Sequence, residues 1–155
     1  GTGLSEDLID AMVARGTALV PTIMQLDKFP EHAAAGAERF PVYAETMTDL
    51  YARMPATIMS AYEAGVPIYA GSDGGGISRH GNIAGEVEAL HRIGMPAADA
   101  LAAASWRARE WLGHPLLGEG DPADFVVYRS DPRADLSILR APSAVVLRGQ
   151  VVAGG

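Results

Sequence analysis

The sequence predicts an α/β fold running into an all-β tail, and three observations carry that reading. The apolar run Val66-Pro67-Ile68-Tyr69-Ala70, closed by Gly71-Ser72-Asp73 and three glycines, reads as a buried and parallel strand. Helical periods alternate with short β-rich runs through about residue 112. Beyond that point only strand patterns recur. Two strands cannot make a parallel sheet with both faces covered, so residues 1–112 read as part of a larger barrel or sheet.

In chain order, Ser5 is placed as an N-cap, with the acids Glu6 and Asp7 in the first helical turn. Leu8, Ile9, Met12 and Val13 recur at helical spacing, and Gly16 is placed to stop the helix. Thr17 to Ile23 is a short β-rich run in which Pro21 belongs near the end, because proline cannot donate to a ladder. Residues 24–41 have no clean period and read as an excursion over an active-site face. Val42 to about Gly65 is helical again, and Pro55 is expected to start a second helix, since proline fits a first turn but not an interior. The methionines and tyrosines of this stretch read as core packing. Asn82 is placed to cap a helix from Ile83 to Ile93, which Gly94 stops. Ala97–Ala104 and Trp106–Leu112 are helical in turn. Asp124–Tyr128 is a strand, and Ala144–Val152 a hairpin turning at Gly149.

Composition excludes several partners. The 155 residues carry a formal charge of −7 and no cluster of Lys and Arg, which argues against a nucleic-acid backbone or an anionic membrane surface. The chain has no cysteine, so disulfides and thiolate metal sites are absent, as suits a cytoplasmic location. No stretch reaches the ~18–20 apolar residues of a membrane span, and none reads as a secretory leader.

Asp73 has the strongest claim to chemistry. It stands at the carboxyl end of its strand, where α/β folds place catalytic and ligand-binding groups, and the glycines after it leave its carboxylate uncrowded. The plainer reading is a turn aspartate, because Asp-Gly is ordinary turn chemistry. His80 lies on the following loop, as substrate contact or surface histidine. Arg79 can engage a substrate carboxylate bidentately or remain a solvated charge. Glu86 shares a helix side with Asn82 and is placed to brace the Asp73 loop, against the default of a solvated helix face. His32, His91 and His114 have no spacing partners. Gly74-Gly75-Gly76 lacks the Lys and Ser/Thr of a phosphate loop, and a nucleotide site is discounted.

Taken together, Ala70-Gly71-Ser72-Asp73-Gly74-Gly75, His80-Gly81, Glu86 and the run Gly94 to Ala104 resemble the closing third of a metal-dependent amidohydrolase. The likeness is to imidazolonepropionase-like and Xaa-Pro or Xaa-Arg dipeptidase-like members. Leu112-Gly113, Gly118 to Tyr128, Asp131-Pro132 and Val145 to Val152 resemble that family's return to its small β-sandwich.

The resemblance implies the C-terminal part of a (β/α)₈ barrel over residues 1–113, then β-sandwich strands over 114–155. It implies hydrolysis of a C–N bond in a dipeptide, amide or cyclic amide. One or two divalent metals, zinc first, would be bound, with Asp73 as metal ligand and proton shuttle. His80 and Arg79 would contact substrate. The family's remaining metal ligands have no counterpart in these residues, so the resemblance implies a preceding segment that completes the barrel. An exposed barrel edge also leads us to expect oligomer contacts. The competing expectation is an inactive fragment or a non-enzymatic binding module.

Overall fold

The computed structural model describes residues 2–75 and 80–154. The first helix, α1 (Glu6–Arg15), forms where its spacing predicts. Ser5 opens it through its carbonyl, which accepts from the Leu8 and Ile9 N–H groups, while its hydroxyl caps nothing. Gly16 closes it in the left-handed conformation, φ 63°, which costs glycine nothing.

The two apolar runs that follow α1 and precede Asp73 lie side by side. The Leu19 N–H donates to the Pro67 carbonyl at 2.8 Å and the Tyr69 N–H to the Leu19 carbonyl at 3.0 Å, a parallel pairing. Gly71 fits its place because a Cβ there would stand 2.5 Å from Val20 Cγ1. On its other side this strand meets a helix end, since Ala70 N–H donates to the Ala103 carbonyl at 3.0 Å.

Residues 24–41 are more ordered than their irregular pattern predicts. They hold α2 (Ile23–Leu26) and α3 (Phe29–Gly36), the latter with Pro30 in its first turn. The chain then runs through one helix, α4 (Pro41–Glu63), and this corrects the expected break at Pro55. A proline removes one backbone donor and strains the turn before it. Met54, Ile58 and Ala61, on one face of α4, are all buried in the core, and their packing carries the helix across the defect.

The remaining helices are α5 (Ile83–Arg92), α6 (Ala97–Ala103) and α7 (Trp106–Trp111). Asn82 does precede α5, but its side chain makes no cap; its Oδ1 accepts from Arg140 at 3.4 Å instead. The tail forms an antiparallel sheet in the order β1 (Phe125–Val127), β2 (Ala144–Leu147), β3 (Gln150–Gly154). Arg148 (φ 51°) and Gly149 (φ 76°) make the β2–β3 turn, both left-handed as a tight hairpin of this hand requires. A 3₁₀ turn at Leu136–Arg140, unread in the sequence, docks the tail on α5. There Arg140 grips Glu88 with two hydrogen bonds of 3.0 and 2.6 Å, and Leu136 is buried in the core.

One apolar core joins α1, the parallel pair, α2, α4, α5, α6 and the 3₁₀ turn; Ile23, Ile58 and Leu90 are wholly buried in it. The chain nevertheless exposes 9488 Å², against about 7,450 Å² for a folded monomer of 16.2 kDa by mass scaling. Among the described residues no helix is long and apolar enough to cross a membrane.

Candidate active site

The site begins with two residues of left-handed backbone. Three non-glycine residues among those described have positive φ, and one is the hairpin Arg148. The others are Thr22 (φ 51°) and Asp73 (φ 45°), which follow the two segments joined by the parallel Leu19–Ile68 bridge. That single bridge is all that forms of the expected strand over Thr17–Ile23, whose last residue opens α2. A β-branched residue such as threonine rarely takes this conformation, which costs on the order of 1–3 kcal/mol at Thr22, whereas aspartate tolerates it. Strain of this kind persists where surrounding structure enforces it, and it gathers at functional sites. At Asp73 the left-handed turn leaves the side chain exposed.

The surroundings that enforce it come from α2 and α5. The Glu86 carboxylate accepts from Ile23 N–H at 2.8 Å through Oε1 and from Met24 N–H at 3.0 Å through Oε2. These are first-turn N–H groups of α2, which have no partner inside their own helix. Glu86 is fully buried, which corrects the solvated-face default. Burial pushes its carboxyl above the ordinary range, and the Met24 and Ile23 amides pull partly against that. Gly85 permits the approach of α5 to α2, since a Cβ there would lie 2.7 Å from Met24 Sδ. From α2 the Gln25 side-chain amide donates to the Asp73 backbone carbonyl at 2.9 Å. The path from Glu86 to Asp73 thus runs through α2 rather than directly to the loop.

His80 is exposed, and its ring lies beside the Asp73 loop: a Cβ built on Gly75 would stand 3.8 Å from His80 Cε1. Arg79 lies outside the described residues. The His80 ring therefore lies beside Gly75, two residues beyond Asp73, with Thr22 following the neighbouring bridged segment. Gln25 carried no sequence signal, being a polar residue in an irregular stretch. Thr22 carried a faint one, as the residue after Pro21 where a strand had to end.

Among the described residues no three His, Cys, Asp or Glu side chains gather in a way that could hold a metal ion. Catalytic zinc takes about three protein ligands, so the residues present here do not by themselves fit such an ion. Two cavities lie elsewhere. One of about 220 Å³ is lined by Val66 to Tyr69 and Tyr62, where Asp99 accepts from Tyr62 Oη at 2.7 Å and pairs with Arg107 at 2.7 Å. The larger, about 1040 Å³, is apolar and lies between α5–α7 and the β1–β2 sheet, away from Asp73.

No family model matches the chain. Proteins of Mycobacterium tuberculosis (strain ATCC 25618 / H37Rv) and Mycobacterium bovis, both termed uncharacterized, are 52% identical to it over 150 residues. The match takes in 97% of this chain and 40% of each relative, so the chain spans about two fifths of the length of the curated relatives it matches. Among solved structures it is similar to a Xaa-Pro dipeptidase with methionine bound in its active site: TM-score 0.82, 25% identity, 97% of this chain and 38% of that one. An Aspergillus niger ochratoxinase superposes with TM-score 0.79 at 25% identity, over 97% of this chain and 36% of its own. A prolidase complexed with N-methylphosphonate-L-proline shares the fold, with TM-score 0.77 at 22% identity over all of this chain and 39% of that one. The mixed α/β arrangement with its small antiparallel sheet is thus shared with a Xaa-Pro dipeptidase and an ochratoxinase, each a longer chain.

Proposed function

We propose that this chain is the Asp73-bearing portion of a hydrolase that cleaves a C–N bond in a dipeptide, amide or cyclic amide. The observation that carries the reading is the left-handed, exposed Asp73 following the segment paired in parallel at Leu19–Ile68, in a fold that superposes on a Xaa-Pro dipeptidase. Asp73 takes a proton from the attacking water as its oxygen bonds to the scissile carbonyl carbon. It then returns that proton to the leaving nitrogen as the C–N bond breaks. His80, beside the same loop, contacts the substrate, and Arg79 is placed in sequence to meet a substrate carboxylate. The metal implied by the resemblance, zinc first, needs donors beyond Asp73, and we assign those to a polypeptide segment outside these residues. In this reading residues 1–113 are barrel elements and 114–155 sandwich strands.

The test is hydrolysis of methionyl-proline and other Xaa-Pro dipeptides by the full-length protein that contains this chain. Asp73→Asn keeps size and polarity but cannot hold the proton, and should lower kcat by about 10²–10⁴ with folding retained. Turnover unchanged in that variant would remove Asp73 from the chemistry. A wild-type protein that hydrolyses neither these dipeptides nor a panel of amides and cyclic amides would favour the non-enzymatic alternative.

A further inference from the structure

We propose that Gln25 and Glu86 are positioning residues that fix the backbone of Asp73, acting through the single turn α2. The inference rests on the reading of Asp73 as the proton-transferring group, and it names what holds that group in place. A helix of four residues cannot stand by its own hydrogen bonds, so its orientation is imposed from outside. Both impositions come from α5. At the start of α2, Glu86 takes the Ile23 and Met24 N–H groups on its two oxygens; just past its end, Arg92 pairs with Asp27 at 2.6 Å. Held at both ends, α2 presents Gln25 to the Asp73 carbonyl at 2.9 Å. That carbonyl belongs to a residue in a left-handed turn, φ 45°, at the start of a glycine-rich stretch, and the Gln25 hydrogen bond is the hold that keeps its carboxylate aimed. Glu86 itself is wholly buried with both oxygens on backbone amides, so it acts on α2 and does not meet substrate.

The experiment uses the full-length protein and Gln25→Met, which keeps the side-chain length and deletes the donor. Amide hydrogen exchange at residues 72–75 should quicken about tenfold, the scale of one lost hydrogen bond, while exchange within α5 stays unchanged. With methionyl-proline as substrate, kcat should fall by about tenfold and KM stay within about twofold, the split expected when aim is lost but binding is not. Adding Glu86→Gln to Gln25→Met should cost less than the two single losses combined, because both act through one element. Unchanged exchange at 72–75 in Gln25→Met would overturn the proposal, as would fully additive losses. Quickened exchange in a protein whose wild type hydrolyses no dipeptide, amide or cyclic amide would keep the positioning role and remove the hydrolase reading.

Discussion

Glu86 shows how one residue sets a pH dependence opposite to that of most acids. Its folded pKa lies above the ordinary 4.5 because burial disfavours the charge. Between 4.5 and that raised value the folded protein holds a proton that the unfolded chain has released. Stability from this group is therefore fullest below pH 4.5 and is lost as pH rises through the folded pKa. Asp131 works the other way. Hydrogen bonds from the Arg133 guanidinium and from its backbone N–H hold its carboxyl down at about 2, so its contribution is present above 3.8 and lost as pH falls toward 2. Asp49, Asp124 and Asp135 are also lowered, by Arg53, by the Arg148 N–H and by Ser137 respectively. Glu86→Gln removes the first kind of dependence and leaves the second. Urea midpoints of wild type and variant, measured from pH 4 upward, should therefore diverge, with wild type losing ground to the variant as pH rises. Parallel profiles would mean that Glu86 keeps its charge in the fold without penalty.

At the scale of elements, α4 holds a defect that its packing overrides. Pro55 leaves the Tyr51 carbonyl without its helical partner, at a cost of about 3 kcal/mol in an unsupported helix interior. Pro55→Ala restores the donor while freeing the unfolded chain, so a net gain of about 1–2 kcal/mol is expected in denaturant unfolding. A loss would show that the proline ring itself fills the core beside Met54 and Ile58. The same helix marks where the sequence stops being readable. Local signals were sufficient for α1, for the α5–α7 run and for the hairpin, because Gly16, Gly94 and Gly149 punctuate them within a few residues. The Val66 run with Asp73 at its end was legible as an apolar run closed by glycine. The Thr17 run was legible as β-rich residues ending near Pro21, though the two meet only at the Leu19–Ile68 bridge. Whether Pro55 breaks α4 is decided by Met54, Ile58 and Ala61 meeting the core, which is tertiary. The one-turn α2 is farther still from local pattern. Its first N–H groups are satisfied by a carboxylate more than sixty residues away, and no window around Gln25 holds that information.

The whole molecule shows more surface than its mass warrants, by about 2,000 Å² on the scaling for folded monomers. The excess is partly apolar and partly concentrated in the tail. Phe125, Val126 and Val127 of β1 and Val151 and Val152 of β3 are all exposed, Val151 at 69% and Val152 at 56%. The sheet has three strands, and β1 and β3 are its edges, each with a row of backbone groups open to another strand. Proteins blunt such edges with charge, proline or a covering element, because an open apolar edge pairs with whatever strand it meets. By this argument the 155-residue chain on its own should self-associate. Sedimentation velocity across a dilution series should show species above 16.2 kDa that recede on dilution. Val126→Lys with Val151→Lys, one charge on each edge strand, should shift the distribution toward the monomer while the far-ultraviolet dichroism stays unchanged. A chain that sediments as a monomer throughout the series would show that the exposed edges are tolerated, and the expectation of an oligomer or a covering segment would then lose its physical basis.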